Sequence, residues 1–293
     1  MPASADDLVA NLDLETIEVD IFRGVSPQNS WKRVFGGQVI AQALVAASRT
    51  VEGRAPHSLH GYFMLGGDPL APIVFEVDRI RDGRSFTTRR VNAIQHGKAI
   101  FSLSASFQVE EQGVEHSFPA PAAPDPDTLP NPIDLLKFAG EKAQVRLQGF
   151  FDRIRPIEIL PIDLSRYAPG ARGVPREPKQ AIWIRIAGRL PDDPAIHRAA
   201  LAFLSDMTLL DTSLAAHGFS VSDPEFQVAS LDHALWFHRP CRADEWLLYA
   251  QDSPNSGGSR GLTRGLLYTR AGALAASVAQ EGLIRRRTPQ TSD

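Results

Sequence analysis

Cysteine is nearly absent from this sequence of 293 residues, which contains only Cys241. A single thiol forms no disulfide within the chain and leaves no zinc or iron-sulfur site made of several cysteines, a usage typical of a reducing compartment. No uncharged apolar stretch approaches the ~18 to 20 residues that a membrane-spanning helix needs. The N-terminus is acidic, where a signal peptide would be basic and then apolar. We therefore predict a cytoplasmic protein without membrane association.

Charge of one sign is not in excess either. The chain has 31 Lys and Arg against 34 Asp and Glu, a net charge of -3, with no long basic block. This balance predicts that nucleic acid is not a partner. The length exceeds the ~100 to 200 residues of a typical domain, and 43% hydrophobic residues are enough to fill a large core.

Composition divides the chain into three zones, at 1–110, 111–180 and 181–293. Prolines crowd the beginning of the middle zone: Pro119, Pro121, Pro124, Pro126, Pro130 and Pro132. Because this density breaks both helices and central strands, the middle zone is predicted to be a connector. One short helix over 133–149 is expected to interrupt it.

The two outer zones follow one plan, beginning with an apolar helix of small residues. In the first zone the helical stripe consists of Val39, Ile40, Ala43, Leu44, Ala47 and Val51. In the second zone it consists of Phe203, Met207, Leu210 and Leu214, and Gly218 is placed to end the helix. A sheet can wrap a helix as narrow as the first.

Strand-like segments follow each helix. Residues 101–109 alternate apolar and polar side chains, which predicts a half-buried antiparallel strand. An offset of 174 places Ile73 over Leu247, and an offset of 172 places Ser58 over Ser230. The repeat predicts an α+β fold in which two antiparallel sheets wrap their own helices and join into one longer sheet.

Several short motifs together resemble a known family, the type II acyl-CoA thioesterases, whose fold is a double hotdog. They are Arg33-Val34-Phe35-Gly36-Gly37-Gln38, Arg81-Asp82-Gly83-Arg84-Ser85-Phe86, Ser205-Asp206, Trp236-Phe237-His238-Arg239-Pro240 and Gln280-Glu281-Gly282. The resemblance extends from about Phe22 to Arg285. It implies an N-terminal hotdog over 1–110 and a C-terminal hotdog over 181–293.

By this resemblance, Asp206, Ser230 and Gln280 occupy the catalytic positions, where they hold and activate a water molecule. The implied substrate is acyl-CoA, and no cofactor is implied. Gly36 and Gly37 precede the first helix, where free backbone N-H groups and the positive end of the helix suit an oxyanion. The chain departs from the family at residues 65–68, which read Leu-Gly-Gly-Asp where the family commonly has Arg-Pro-Gly-Asp.

The residues alone leave the choice of carboxylate open. On a continuous helix, Asp206 has only apolar neighbours three and four residues away, which is a costly place for a charge. Asp211 competes with it on the same helix, and only the resemblance selects Asp206. Ser230, read as the start of a strand, and Gln280, read as the end of another, are ordinary residues when considered singly.

Two other kinds of site are considered and set aside. Ser259 lies in a G-x-S-x-G pattern, but no His follows His238, and the preceding Pro-Asn-Ser-Gly-Gly run predicts a hairpin turn. A metal site is not expected, because the closest histidine pairs, His57 with His60 and His233 with His238, have odd spacings that place partners on opposite strand faces.

The sequence favours an acyl-CoA thioesterase, with two alternatives. One is a hotdog-fold acyl-CoA hydratase or dehydratase, and the other is a non-catalytic acyl-CoA binding module. Self-association into a homo-oligomer is also expected to be possible. Candidates for contacts with CoA phosphates are Arg84, Arg89, Arg90, Arg260 and Arg264.

Overall fold

The computed structural model describes residues 1–27, 33–130, 141–163, 165 and 170–287. The helices of these ranges are α1 (Ala5–Leu12), α2 (Gly36–Ser48), α3 (Glu141–Ile154), α4 (Pro194–Ser205) and α5 (Leu209–Ala215). None of them is long and apolar enough to cross a membrane.

The strands of the N-terminal half are β1 (Glu15–Glu18), β2 (Ile21–Gly24), β3 (Ala55–Phe63), β4 (Ile73–Asp82), β5 (Phe86–Gln95) and β6 (Lys98–Gln108). Those that follow are β7 (Ile157–Pro161), β8 (Lys179–Ile186), β9 (Phe226–Ser230), β10 (Asp232–Phe237), β11 (Leu247–Gly257), β12 (Arg260–Thr269) and β13 (Leu274–Arg286).

All these strands join in one antiparallel sheet, 13-stranded within the described ranges, in the order β1-β2-β4-β5-β6-β3-β10-β13-β12-β11-β8-β7, with β9 also paired to β13. The two halves meet where β3 pairs with β10. Leu59 and Leu235 are opposite each other at this seam, and both are fully buried. The expected union of two sheets into one is therefore confirmed.

The central helices α2 and α4 pack against each other inside the curved sheet. The rings of Phe35 and Phe203 make an edge contact there, with centroids 5.2 Å apart. In α2, Ile40, Ala43 and Ala47 are fully buried, because small side chains allow the sheet to enclose the helix on several faces. This is the α+β double hotdog architecture that the sequence predicts.

Strand pairing refines the offset between the two copies. Strands β4 and β11 begin at Ile73 and Leu247, which keeps the predicted offset of 174. The expected offset of 172 for β3 is wrong. Val91 and Gly61 both pair with Leu103, as Gly265 and Leu235 both pair with Val278, so the offset from Gly61 to Leu235 is 174. By this register the counterpart of Ser58 is Asp232 instead of Ser230.

The continuous second helix predicted through Phe203 and Leu214 is also wrong. The chain leaves the helix after Ser205, and Thr208 has a φ of 65°, a left-handed conformation that ends one helix before α5 begins. Glycines on the sheet allow α5 to lie close, because a Cβ at Gly261 would collide with Ser213 and one at Gly282 with Leu210. The sheet therefore redirects the helix at Asp206.

The proline-rich connector also covers the outer face of the C-terminal half. Trp183 Nε1 donates to the carbonyl oxygen of Pro124 at 2.9 Å, above a small cluster that includes Leu248 and Tyr268. Residues 141–149 of the predicted helix lie in α3, which continues to Ile154, while residues 131–140 lie outside the described ranges. The boundaries near 110 and 180 stay predictions.

The Ser259 segment is a two-residue hairpin turn, as expected. Gly258 and Ser259 join β11 to β12 with φ values of 57° and 59°, and Gly257 pairs with Arg260 across the turn. Two successive positive φ angles are typical of a type I′ turn. Ser259 is exposed at the tip of this turn, and strand β12 follows it where a nucleophilic serine would be followed by a helix.

We predict that Ser259→Gly stabilises the protein by about 0.5 to 1 kcal/mol, because glycine adopts a positive φ without steric cost. Chemical denaturation should detect the difference in unfolding free energy. Ser117→Gly is the control, since Ser117 is exposed and has no positive φ. A Ser259→Gly variant no more stable than this control would contradict the turn assignment.

Candidate active site

Asp206 occupies the break that follows α4, with φ -79° and ψ -3°. Its carboxylate accepts a hydrogen bond from the backbone N-H of Gly37, in the first turn of α2. Phe35, the N-cap residue of α2, provides no side-chain cap of its own. Asp206 therefore caps the first-half helix from the second half, at the end of that helix where partial positive charge is concentrated.

Two residues of the C-terminal sheet hold the same carboxylate. Gln280 Nε2 donates to Asp206 Oδ1 at 2.6 Å, and Ser230 Oγ donates to this oxygen at 3.4 Å. Ser230 ends β9 instead of starting a strand, and Gln280 lies within β13 instead of at its end. The structure nevertheless brings the three residues together as the resemblance implies.

Gly36 and Gly37 allow the helix terminus to approach this carboxylate. A Cβ built on Gly36 would lie 2.6 Å from Asp206 Oδ2 and 2.9 Å from Phe63 Cζ, and one on Gly37 would collide with the carbonyl oxygen of Phe203. Both positions thus require glycine. The Gly37 N-H already bonds Asp206, and the expected oxyanion role of the two glycines stays a prediction.

Burial raises the pKa of Asp206 from its usual value near 3.8 to about 6, while the hydrogen bonds from Gln280, Gly37 and Ser230 oppose the rise. The carboxyl keeps a small solvent-accessible fraction, but neutral donors replace most of its water. No cation in the described part of the chain forms a salt bridge with it. Such a carboxylate is a stronger base than an exposed one.

The structure separates Asp211 from this site. Asp211 Oδ1 accepts the backbone N-H of Val221 at 2.8 Å, in the segment that follows α5.

Two residues next to the site could not be identified from the sequence. Phe63 borders the site, and Tyr249 supports it by donating its hydroxyl to the carbonyl oxygen of Ser205 at 2.7 Å. The alternation of buried residues along β3 and β11 gives only their sheet face, so the contacts themselves depend on the tertiary fold.

Several of the candidate arginines are engaged elsewhere. Arg89 is 2% exposed and donates to Thr50 Oγ1 and Asp82 Oδ1 within the N-terminal half. Arg260 pairs with Glu281, and Arg264 pairs with Asp252. Arg89 is therefore a structural residue and does not contact CoA phosphates in this arrangement.

The closely spaced histidines form separate contacts. His57 bonds Ser106 Oγ, and His238 bonds Ser277 Oγ, each at 2.8 Å. Among the residues that the structure describes, no group of three His, Cys, Asp or Glu side chains is arranged to hold a metal ion.

A groove of about 2260 Å³ elsewhere in the described part of the chain does not include Asp206. It lies between the segment that follows β6 and the outer sheet face around Trp236 and Ser277. Volume alone would therefore direct attention away from Asp206. The convergence of hydrogen bonds on one desolvated carboxylate is the more specific indication of a reactive site.

Comparisons with known proteins agree with this fold. Residues 26–108 match the model of the acyl-CoA thioesterase N-terminal domain, and residues 166–283 match that of acyl-CoA thioesterase. Human acyl-coenzyme A thioesterase 8 is 42% identical, over 96% of this chain and 89% of its own. The crystal structure of an acyl-CoA thioesterase II from Mycobacterium marinum is 44% identical, with a TM-score of 0.79 over 96% of this chain and 99% of that one.

A protein from Alicyclobacillus acidocaldarius described as having a hot dog fold is 18% identical. Its TM-score is 0.74 over 96% of this chain and 98% of that one, a likeness of fold alone. Taken with the two closer relatives, it confirms the predicted architecture. The chain belongs to the acyl-CoA thioesterase family.

We predict that Asp206→Asn stabilises the protein at pH 8 by about 1 to 3 kcal/mol and does so less as the pH falls through 6. A raised pKa means that the folded state favours the protonated carboxyl, so stability is greatest at low pH and declines as Asp206 ionises near pH 6. Denaturation of both proteins between pH 4.5 and 8 measures this difference.

The control is Asp211→Asn, which removes a carboxylate within α5 that makes none of the Asp206 contacts. It should not reproduce a change centred near pH 6. A wild type that becomes more stable relative to Asp206→Asn as the pH rises would contradict the prediction.

Proposed function

We propose that this protein hydrolyses acyl-CoA to a carboxylic acid and free CoA, using a water molecule activated by Asp206. The supporting observation is the carboxylate itself, desolvated at the α2 terminus and held by Gln280, Gly37 and Ser230. Its pKa of about 6 leaves it ionised at neutral pH and still basic enough to accept a proton.

The two carboxylate oxygens have different surroundings. Oδ1 accepts from Gln280 and Ser230, whereas Oδ2 lies 2.6 Å from the position that a Cβ on Gly36 would take. We assign the water to Oδ2, with its proton passing to this oxygen as the water oxygen attacks the thioester carbonyl. Gln280 Oε1 is buried and has no hydrogen-bond partner in the described part of the chain, and we propose that it orients this water.

The tetrahedral intermediate then loses CoA. Its oxyanion lies toward the N-terminus of α2, where the N-H of Gly36 and the helix dipole oppose the negative charge. The C-S bond breaks, and the thiolate takes the proton that Asp206 received from water. Because a thiolate leaves without strong acid assistance, this site needs no cofactor.

The two alternative functions are separated by thiol release from an acyl-CoA. A hydratase or dehydratase changes the acyl chain and keeps the thioester, and a binding module releases nothing. We expect stoichiometric free thiol and carboxylic acid. Binding without thiol release, over acyl chains from short to long, would refute the proposal.

The first half provides the helix terminus but no second base. Arg49 is the C-cap residue of α2, and Asp206 is the C-cap residue of α4. The first half therefore has an arginine at the position where the second half has its carboxylate. By strand register, Pro56 stands opposite Phe107 as Ser230 stands opposite Gly282, and proline has no hydroxyl. We therefore propose one productive site per chain. Cytoplasmic location and self-association stay predictions, which cell fractionation and light scattering test.

We predict that Asp206→Asn lowers kcat by roughly 10² to 10⁴, because the amide accepts no proton from water. The wild-type kcat should fall as the pH drops below about 6, where Asp206 becomes protonated, and the variant's residual rate should lack this acid limb. Steady-state rates between pH 4.5 and 8.5 measure both effects. A folded variant with near-normal kcat would exclude Asp206 as the base.

We predict that Gly36→Ala lowers kcat by about 10² or more, because its Cβ would lie 2.6 Å from Asp206 Oδ2 and would push the carboxylate away from the geometry in which it holds the water. Gly113→Ala is the matched control, since a Cβ there meets no atom within 4 Å. Kinetics should be compared at equal folded fractions, checked by circular dichroism. Equal rates for the two alanine variants would place the water elsewhere.

A further inference from the structure

A buried histidine lies next to the break that carries Asp206. His233, on β10, is 1% exposed and pairs across the seam with Gly61 of β3. Its Nε2 atom lies 2.8 Å from Oγ of Ser205, the last residue of α4. The side chain before Asp206 is thus attached to the centre of the joined sheet.

The proton inventory assigns the direction of this hydrogen bond. Ser205 Oγ also lies 2.9 Å from the carbonyl oxygen of Ala202, which only accepts. Since a hydroxyl has one proton, Ser205 donates it to Ala202 and accepts from His233 Nε2-H. Burial lowers the pKa of His233 to about 3, so the ring is neutral in the working range and carries this one proton.

The resulting tautomer leaves Nδ1 of His233 without a proton. Nδ1 is buried and has no hydrogen-bond partner among the residues that the structure describes. An unsatisfied buried acceptor destabilises the folded protein, a cost that leucine would avoid. We therefore attribute the presence of histidine at this position to its bond with Ser205, a contact that leucine cannot make.

Ser205 is held from a second side. Tyr249 of β11 donates its hydroxyl to the Ser205 carbonyl oxygen at 2.7 Å, and the absence of a side chain at Gly265 makes room for the tyrosine ring. Burial raises the pKa of Tyr249, which keeps the hydroxyl protonated. Ser205 thus accepts one hydrogen bond at its side chain, from His233 of β10, and another at its backbone carbonyl, from Tyr249 of β11.

We propose that His233, acting through Ser205, is a positioning residue that fixes the Asp206 carboxylate against Gly37 and Gln280. This inference rests on the proposed role of Asp206 as the base. Without the bond from His233, the Ser205 side chain loses its attachment to β10, and the end of α4 is held less firmly. A small rotation there lengthens the 2.6 Å contact from Gln280 and the contact from Gly37.

The experiment compares His233→Leu, His233→Gln and Ser205→Ala with wild type. We expect His233→Leu to lower kcat about 10- to 100-fold with little change in KM. The acid limb of kcat should move up by about 0.5 to 1 pH unit, because a carboxylate with fewer donors is harder to ionise. Ser205→Ala should shift the limb in the same direction.

Glutamine places an N-H donor near the position of Nε2, so His233→Gln should restore most of the lost kcat and return the limb toward wild type. The other titratable group facing Asp206 is Tyr249 from β11. Gly36 and Gly37 from α2, Ser230 from β9 and Gln280 from β13 do not titrate in this range. Movement of the limb therefore reports on Asp206.

His197→Leu is the matched control. His197 is 5% exposed on α4 and has an unpartnered Nε2 in the described structure, but it lies near the other end of the helix. It should lower the melting temperature without moving the acid limb. Circular dichroism identifies unfolding, and Ser205→Ala decides the question if His233→Leu does not fold.

The positioning role would be overturned if Ser205→Ala kept the acid limb of kcat at its wild-type pH. It would also be overturned if His233→Gln were as impaired as His233→Leu. Failure of the base assignment has a different signature, because Asp206→Asn would then retain the wild-type rate and limb. If all His233 variants keep the wild-type acid limb of kcat and Asp206→Asn loses it, the positioning role of His233 is refuted and the role of Asp206 as the base stands.

Discussion

The contact between Asp206 and the N-terminus of α2 is the interaction on which the rest of the site depends. It joins the two halves of the repeat, because the carboxylate follows the second-half helix and accepts the Gly37 N-H of the first-half helix. The contact requires glycine at the helix start and an early end to α4. Folding of both halves therefore creates the site, which neither helix forms alone.

This arrangement accounts for the chemistry that a single carboxylate provides. A surface carboxylate is a weak base, and a buried one beside a cation would be weaker still. Here neutral donors from Gln280, Ser230 and Gly37 keep Asp206 ionised, while burial keeps its pKa near 6. The same burial destabilises the folded protein above that pH, so basicity and stability oppose each other at this residue.

Much of the architecture is predictable from sequence because it follows local patterns. The alternation along residues 101–109 predicts β6, and the Gly258-Ser259 pair predicts the hairpin turn between β11 and β12. The break at Asp206 is different, since the residues around it read as one helix. It arises where α5 must pack onto Gly261 and Gly282, which lie far away in sequence. The register of β3 likewise depends on pairing that no local pattern specifies.

The resemblance to a family selected Asp206 over Asp211, and local spacing did not. The structure supplies the physical reason, because Asp206 faces a helix terminus whereas Asp211 bonds Val221. His233 illustrates the opposite case. Its spacing from His238 only excludes a shared metal, and its contact with Ser205 depends on how the sheet meets the end of α4.

The central claim is that Asp206 activates water and forms no bond to the acyl group. A single-turnover reaction in ¹⁸O-labelled water, with mass analysis of the acid and of the peptide containing Asp206, tests it most directly. We predict one ¹⁸O atom in the carboxylic acid and none in the peptide. Label in Asp206, with an unlabelled acid, would show that the carboxylate attacks the thioester itself and would contradict this account.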